Sequence, residues 1–503
     1  MATKFRKNPK AKAAEHPVLA QLSGRLQQAL AFQQHGELAR AQFLYEKILK
    51  VQPRNYDALN RLGVIALQTN NPRKAVRLFE KAIGVDPGNA VAHGNRGLAL
   101  HQLQQLDAAL ASYEQALAIN PGQADALLNR GNVLKDFQQW DAALASYDRA
   151  IEIKPDYAEA YSNSGFVLKE LKQLDAALAR FNRAIAIRPG YASAYWNRAL
   201  TLLLRGDFEN GWLDYEWRRK LDPGSPFHQP LWLGQAPLVG KTILLHSEQG
   251  LGDTLQFCRY VKLVADLGAR VILEVQKPLM SLLAGLDGVS KVITKGNALP
   301  DVDYQCPLMS LPLAFKTSLD SIPFSKGYLS ASPAKLAHWR NRLGERTKPR
   351  VGLVWSGSRT NYNDRSRSIP LKDLIQCLPA DLHYFCLQKD IRESDRQTLN
   401  ENRNIADFGD EQADFNDAAA LCEGMDAVIS VDTSVAHLSG ALGVETHVLL
   451  PFNADWRWLL DRSDSPWYSA VKLHRQGSMG DWSGVFTQVK RDLVRLSQRH
   501  SQE

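Results

Sequence analysis

Three short segments in the C-terminal three-fifths of the chain combine residue types able to do chemistry. The first is Glu248-Gln-Gly-Leu-Gly-Asp253. Gly250 and Gly252 let a backbone approach a ligand closely, and a helix starting there offers free N–H groups to an anion. Three readings fit it. With Glu274 as a ribose-binding acid it is an incomplete dinucleotide fingerprint, since Leu255 stands where the third glycine belongs. It is otherwise a tight turn with Asp253 as helix cap, or it presents Asp253 as a general base. The second segment, Ser356-Gly-Ser-Arg359 through Asp364-Arg365-Ser-Arg367-Ser, clusters arginines whose planar guanidinium suits bidentate pairing to phosphate. The third, Ile429-Ser-Val-Asp432-Thr433-Ser434-Val-Ala-His437-Leu, puts Asp432 and the Thr433 and Ser434 amides where a diphosphate could meet a helix start. Asp432 also reads as an ordinary N-cap and His437 as a buried helix-face residue. Gln388 with Lys389, and Trp456 with Arg457, are secondary candidates for gripping the same ligand; Trp456 reads equally well as core.

The elements that must position these segments are strands followed by helices. Short β-branched runs alternate with amphipathic stretches from about residue 240, the signature of parallel sheets with crossover helices. Strands are predicted at Thr242–His246, Val271–Val275, Val351–Trp355, Tyr384–Gln388, Ala427–Val431 and His447–Leu450, with a helix at Asp253–Leu267. Each chemical segment thereby falls just past the C-terminal end of a strand, where ligands bind in open parallel sheets. Pro333 to Arg346 reads as a helix joining two such halves, and a ligand bridging them would sit in the cleft between.

The N-terminal two-fifths carries a different pattern. Pro53, Pro87, Pro121, Pro155, Pro189 and Pro223 recur every 34 residues. In the same register lie Gly63, Gly97, Gly131, Gly165 and Ala199, then Ala41, Ala75, Ala109, Ala143 and Ala177, with aromatics at Tyr45, Phe79, Tyr113, Tyr147, Phe181 and Tyr215. Small residues let the two helices of a pair approach, and the aromatics are expected to fill the gap between repeats. The last repeat departs, with Gly211 and Arg218 where earlier ones have alanine, as befits a terminal repeat meeting something different. Asn95, Asn129, Asn163 and Asn197 form a further ladder at this period, broken in the second repeat by Arg61, with Asn60 one place early. An amide offers donor and acceptor together, so such a row can hold an extended peptide by its backbone; a solvated polar face is the plainer reading.

At 503 residues, with 45% hydrophobic and 23% charged residues, the chain has the make-up of a soluble globular protein of roughly three domains. No apolar run approaches the roughly 20 residues of a membrane span, and the basic stretch through Lys12 lacks the apolar segment of a signal or anchor. A cytoplasmic location is expected. Cys258, Cys306, Cys377, Cys386 and Cys422 show no CxxC pairing, so neither a zinc site nor a disulfide framework is expected. The formal charge of +8 comes without a nucleic-acid motif. It fits a basic N-terminus together with a site for a phosphorylated ligand.

From about residue 22 to 219 the sequence resembles the tetratricopeptide repeat family. From about 240 to 475, its Gly-x-x-Gly-Asp turn and Asp-Thr-x-x-x-His-Leu turn resemble the family 9 glycosyltransferases, of which the ADP-heptose heptosyltransferases are best known. The asparagine ladder joined to a transferase-like half resembles the arrangement of O-GlcNAc transferases. These resemblances imply an α-solenoid followed by a GT-B pair of Rossmann-like α/β domains, with inverting, metal-independent transfer from a nucleotide sugar. They imply Asp253 as catalytic base and Gly250, Gly252, Arg365, Arg367, Asp432, Thr433, Ser434 and His437 on the donor side. The family's phosphate-binding lysine is replaced by Arg365 or Arg367, and Ser434 stands where glycine is usual. The expected division is a basic disordered N-terminus (1–21), about six repeats (22–219), a linker (220–239), an acceptor-side half (240–332), a connecting helix (333–349), a nucleotide-sugar half (350–490) and a polar tail (491–503). The expected function is a glycosyltransferase whose repeats recruit a protein acceptor. Its rival is a non-catalytic adaptor with a degenerate nucleotide-sugar module.

Overall fold

The computed structural model describes residues 9–222, 227–361 and 363–500. Pro223, last of the proline series, and most of the basic N-terminus before Pro9 lie outside the described residues. The chain divides into two compact units, Met1–Ala194 and Tyr195–Glu503.

The first unit is a run of antiparallel helix pairs. Pro9–Gln34 and Leu38–Val51 are followed by Tyr56–Gln68 with Pro72–Val85, Ala90–Gln102 with Leu106–Ile119, Ala124–Asp136 with Trp140–Ile153, and Ala158–Glu170 with Leu174–Ile187. The expected disorder through residue 21 is corrected, since the first helix begins at Pro9. Pro53, Pro87, Pro121, Pro155 and Pro189 each stand two residues past a helix end, where they bar continuation. A methyl group on Gly97, Gly131 or Gly165 would lie 2.7, 2.5 and 2.7 Å from the rings of Tyr113, Tyr147 and Phe181. The aromatics therefore fill the space inside a pair, against the bare backbone of the partner helix, rather than the gap between repeats. Between the two helices within each of four pairs, Asn70, Gln104, Gln138 and Lys172 adopt left-handed backbone, at φ of 54°, 58°, 59° and 59°. The amide of the next residue reaches back to close each helix end, as in Gln139 N–H to the Leu134 carbonyl at 2.9 Å.

The second unit begins within the first helix of the last pair, Ala192–Arg205, which is followed by Phe208–Tyr215. Ten strands follow: β1 Thr242–His246, β2 Arg270–Val275, β3 Val289–Thr294, β4 Tyr304–Pro307, β5 Arg350–Val354, β6 His383–Cys386, β7 Ile405–Asp407, β8 Ala427–Val431, β9 Thr446–Leu450 and β10 Val471–Arg475. They form two parallel sheets, β3-β2-β1-β4 and β10-β9-β8-β5-β6-β7. Central strands are buried on both faces because crossover helices cover them. Pro333–Leu343 lies between the two sheets in sequence, as expected. The helix expected over Asp253–Leu267 is broken into Leu251–Phe257, a 3-10 turn and Val261–Asp266. The expected polar tail from 491 is instead part of a helix, Ser483–His500, whose Val485, Val489 and Leu493 join the core under β5 and β6. All five cysteines are buried.

Candidate functional site

The glycine turn leaves β1 and enters the helix Leu251–Phe257. The Gly250 amide donates to Asp253 Oδ2 at 2.7 Å, capping the helix, while Asp253 Oδ1 accepts from Arg457 Nη2 at 2.5 Å. Burial raises the Asp253 pKa, with Arg457 and the Gly250 amide opposing. Arg457 also donates to Gln256 Oε1 at 2.7 Å and Asp455 Oδ1 at 2.8 Å. Burial works against ionisation of Asp455, but its contacts with Arg457 outweigh this and hold its carboxyl below the usual range. A methyl on Gly252 would lie 2.8 Å from His437 Cδ2 and 3.5 Å from Ser434 Cα, so glycine is required there by one helix crossing another.

The turn after β8 supplies the other side of that crossing. Thr433 precedes the helix Ser434–Leu442, and its hydroxyl pairs with Ser430 Oγ at 3.0 Å. His437 is buried, shares a hydrogen bond of 3.0 Å between Nδ1 and the Tyr468 hydroxyl, and stacks on Trp458. Burial, followed by the nearby Arg457 charge, pushes its pKa down to about 3, so the ring is neutral. Asp432 is pushed up to about 6 by burial and by Asp455, against Arg367 and Arg457.

The arginine loop after β5 closes on the same turn. Arg367 Nη1 donates to the Asp432 carbonyl at 2.6 Å. Arg392 Nη2 donates to Asp364 Oδ2 at 2.6 Å and Ser368 Oγ at 2.9 Å, holding the loop in place. The Nε atoms of Arg367 and Arg392 are buried with no hydrogen-bond partner among the described residues. Arg365 is exposed on the same short helical turn, Asp364–Arg367.

Other predicted residues serve the protein itself. Gln388 Oε1 accepts from the Trp355 and Ser356 amides at 3.2 and 3.0 Å, and its Nε2 donates to Ser356 Oγ and the Asp390 carbonyl. It clamps the end of β5. Lys389 donates to the Gln412 carbonyl at 2.8 Å. Trp456 is core, packed edge-on to Trp212 at 5.4 Å and near Tyr215, Phe208 and Trp467. In the first unit Asn95 Nδ2 donates to Asn60 Oδ1 at 3.1 Å, and Asn163 Nδ2 to Asn132 Oδ1 at 2.8 Å. The out-of-register Asn60 is therefore a partner of the ladder. Asn129 is half-buried on Ala124–Asp136, and Asn197 is half-buried on Ala192–Arg205.

Sequence reasoning missed Arg218, Asp455, Arg392 and Tyr468. Arg218, buried, donates to Glu248 Oε2 at 2.6 Å and Ser310 Oγ at 2.7 Å, anchoring the start of the glycine turn. Its substitution for a repeat alanine was the signal. Asp455 lay within a stretch rich in tryptophan and flanking Arg457, whereas Arg392 and Tyr468 carried no local mark.

Topology explains the convergence. In the six-stranded sheet the chain proceeds from β5 outward to β6 and β7, then returns to β8 on the other side, so β5 and β8 flank a switch point. The Arg367 and Asp432 loops leave these two strands, and crevices at such points are where parallel sheets bind ligands. In the four-stranded sheet β1 and β4 flank the corresponding point, and the glycine turn leaves β1.

Two family models match, both within the repeats. One described as tetratricopeptide repeat matches residues 26–90 and 65–124, and one described as TPR repeat matches 131–172 and 167–206. The N-terminal helix pairs are thus tetratricopeptide repeats. The chain is 25% identical over 322 residues to Protein FlbA of Caulobacter vibrioides, an alignment covering 58% of this chain and 53% of FlbA. The chain therefore spans about half the length of that curated relative. Among solved structures, MamA is 27% identical with a TM-score of 0.30, covering 32% of this chain and 94% of MamA. PilF of Pseudomonas aeruginosa is 18% identical with a TM-score of 0.37, covering 41% and 93%. Among the described residues no helix is long and apolar enough to cross a membrane.

Proposed function

We propose that the second unit is a GT-B glycosyltransferase module that takes a nucleotide sugar at the β5/β8 switch point, and that the tetratricopeptide repeats present a protein acceptor to it. The observation that carries this reading is the meeting of the two switch-point turns, with Gly252 against His437 and Asp253 bonded to Arg457. The two buried guanidinium Nε atoms without partners support an anionic ligand beside them, where Arg367 and the helix start at Thr433 would carry the charge of a leaving diphosphate. In the transfer an acceptor hydroxyl oxygen bonds to the anomeric carbon as the carbon–oxygen bond to the diphosphate breaks. Its proton passes to Asp253, whose raised pKa makes it the stronger base. Arg365 is assigned a secondary donor contact. Gln388 shapes the start of the loop that carries it.

The repeats contribute binding. Tetratricopeptide repeats hold peptides or proteins, and Asn95, Asn129 and Asn163 offer amide groups in register for an extended backbone. Asn95 and Asn163 each commit one amide proton to a neighbouring asparagine, which fixes the side-chain orientation and leaves the carbonyl oxygen and second proton to a ligand.

One observation favours the second reading, a ligand-sensing adaptor without chemistry. Both oxygens of Asp253 are already engaged, one by the Gly250 amide and one by Arg457. A thermal-shift screen of the whole protein against UDP, GDP, ADP, CMP and their sugar conjugates tests nucleotide binding. A ligand at a hundredfold excess over Kd stabilises by about 2.7 kcal/mol. Binding lost in Arg367→Ala supports the switch-point site, and the absence of any shift removes it. Hydrolysis of the bound nucleotide sugar, abolished by Asp253→Asn, selects transferase over adaptor. Full activity in that variant would remove Asp253 from the mechanism.

A further inference from the structure

Outside the candidate site, one grouping of histidine and carboxylate side chains among the described residues brings its ligating atoms within 4.8 Å of one another: His447, His474 and Asp492. His447 lies on β9, His474 on β10 and Asp492 on the C-terminal helix Ser483–His500. Because Lys472 pairs with His447 in the parallel register, His474 is its diagonal neighbour on the same sheet face. All three side chains are buried, the two rings at 3% and 1% exposure.

We propose that these three residues bind one divalent transition-metal ion of the zinc class, pinning the C-terminal helix to the edge of the six-stranded sheet. The separations fit. His447 Nδ1 lies 3.0 Å from His474 Nε2, and these nitrogens lie 3.8 and 3.6 Å from Asp492 Oδ2. Ligands at 2.0–2.1 Å in a tetrahedron stand about 3.4 Å apart, so seating the ion takes a slight opening between the two rings and a slight approach of the carboxylate.

The outward nitrogens supply the stronger argument. His447 Nε2 is 3.3 Å from Glu445 Oε1, and His474 Nδ1 is 3.3 Å from Gln488 Oε1. An oxygen acceptor beyond each ring draws the ring proton outward, the arrangement that orients histidines toward a metal. Both inward nitrogens then present lone pairs to each other and to a carboxylate. The 3.0 Å ring contact is otherwise a ring-to-ring hydrogen bond, and with both protons drawn outward a cation takes its place among the three electron donors. At present the Lys472 ammonium sits 2.5 Å from Asp492 Oδ2 and supplies part of the charge. Its side chain is about half exposed and borders a groove of about 450 Å³ lined also by Glu445, His447, Asp492 and Arg499. It can swing into that groove, which gives an ion its route and a water its place as fourth ligand. Histidine nitrogen with one carboxylate oxygen suits zinc-class ions over magnesium or calcium.

The test uses the whole protein, stripped with a chelator and then offered Zn2+ or Co2+ alone. The expected result is one equivalent of Zn2+ retained through gel filtration, with a tetrahedral Co2+ spectrum in the visible, both lost in His447→Ala and His474→Ala. Glu445→Gln leaves every ligand in place and is expected to weaken binding about 10- to 100-fold. Lys472→Ala removes the competing ammonium and tightens it. Equal Zn2+ in wild type and His474→Ala overturns the proposal. So does an absent Co2+ spectrum in the wild type, which would mean that a proton bridges the rings. Should an alanine variant fail to fold, the wild-type spectrum and Lys472→Ala still decide, since binding that Lys472→Ala weakens or leaves unchanged also counts against the site.

Discussion

The two units hold their polar groups together on different length scales. In the repeats, partners sit within one helix pair or the next: Arg96 Nε donates to Ser112 Oγ, Arg130 Nη1 to Ser146 Oγ, and Asn95 to Asn60. Beyond residue 194 remote partners join the local ones, as with Arg457 and Asp253 or Arg259 and the Trp467 carbonyl. The final repeat stands at the change. Arg198 occupies the register of Arg96 and Arg130, but its partner is Asp214, so a neutral contact becomes an ion pair at 2.5 and 2.9 Å. A stack that needs only its neighbours can afford weak polar contacts, whereas a site assembled from distant segments concentrates charge where they meet.

The sharpest test of that contrast is arginine deletion. Arg457→Ala leaves the half-buried Asp253 and Asp455 without their shared cation and is expected to cost up to about 3 kcal/mol. Arg130→Ala removes one contact to a serine and is expected to cost under about 1 kcal/mol. Denaturation followed by fluorescence reads the first, because ten of the eleven tryptophans lie beyond residue 194. Equal losses in the two variants would erase the distinction.

Legibility in the sequence followed the same division. A period of 34 residues repeats each constraint, so Gly97, Ala109, Tyr113 and Pro121 announce a helix pair without knowledge of anything distant. The left-handed turns escaped notice because glycine marks them only at Gly36 and Gly206, with asparagine, glutamine or lysine between. In the second unit the strands bearing β-branched runs were legible, and with them the turns at their ends. β3 was not, since its Ser290 and Lys291 are exposed on a sheet edge, and β4 is only four residues long. The site was legible as three separate turns. That Asp253 would be bonded to Arg457 and that Gln388 would commit its amide to the end of β5 depend on contacts across more than thirty residues, which no local pattern encodes.

Acid should separate the units next. His437 and His246 are held neutral by burial, with pKa values pushed down to about 3 and about 4. Their unfolded pKa is about 6.5, so the native state binds fewer protons below that pH. Stability is intact above about 6.5 and falls as pH drops toward 4, by up to about 1.4 kcal/mol per pH unit for each ring. Asp432, pushed up to about 6, works in the opposite sense and returns part of this loss as it protonates. The tryptophan-reported melting temperature is expected to fall between pH 7 and pH 5. Tyr113 and Tyr147 in the repeats have pKa values raised by burial, so their contribution is present below about pH 10 and lost above it. An acid-insensitive fluorescence transition would show that the histidines are not buried neutral.

Added methyl groups test whether close approach is equally strict in both units. Gly131→Ala would press on the Tyr147 ring and Gly252→Ala on His437. Overpacking of this kind costs about 1–3 kcal/mol. Gly131→Ala should lower stability without touching nucleotide binding, read by circular dichroism and thermal shift. Gly252→Ala should weaken both, because it separates the turn carrying Asp253 from the helix start at Thr433. A Gly252→Ala protein that binds nucleotide normally would detach the two turns functionally.

The smallest effect runs the other way. Gln138 ends Ala124–Asp136 in left-handed backbone at φ 59°, a conformation that costs an L-residue with a Cβ about 1–2 kcal/mol. Glycine removes that cost but brings greater freedom to the unfolded chain, worth roughly 0.5–1 kcal/mol. Gln138→Gly is therefore expected to stabilise by about 0.5 kcal/mol, and Gln104→Gly by the same amount because the register is the same. Gly206 already holds this position where the stack enters the second unit, at φ 90°, so Gly206→Ala should destabilise instead. Chemical denaturation of the three variants in the full chain measures the signs. Gain at 104 and 138 with loss at 206 would mark the periodic turns as strained positions in which the sequence tolerates glutamine only because each repeat's packing holds the turn closed. Loss at all three would mean that the glutamine side chains, not the backbone, stabilise those turns.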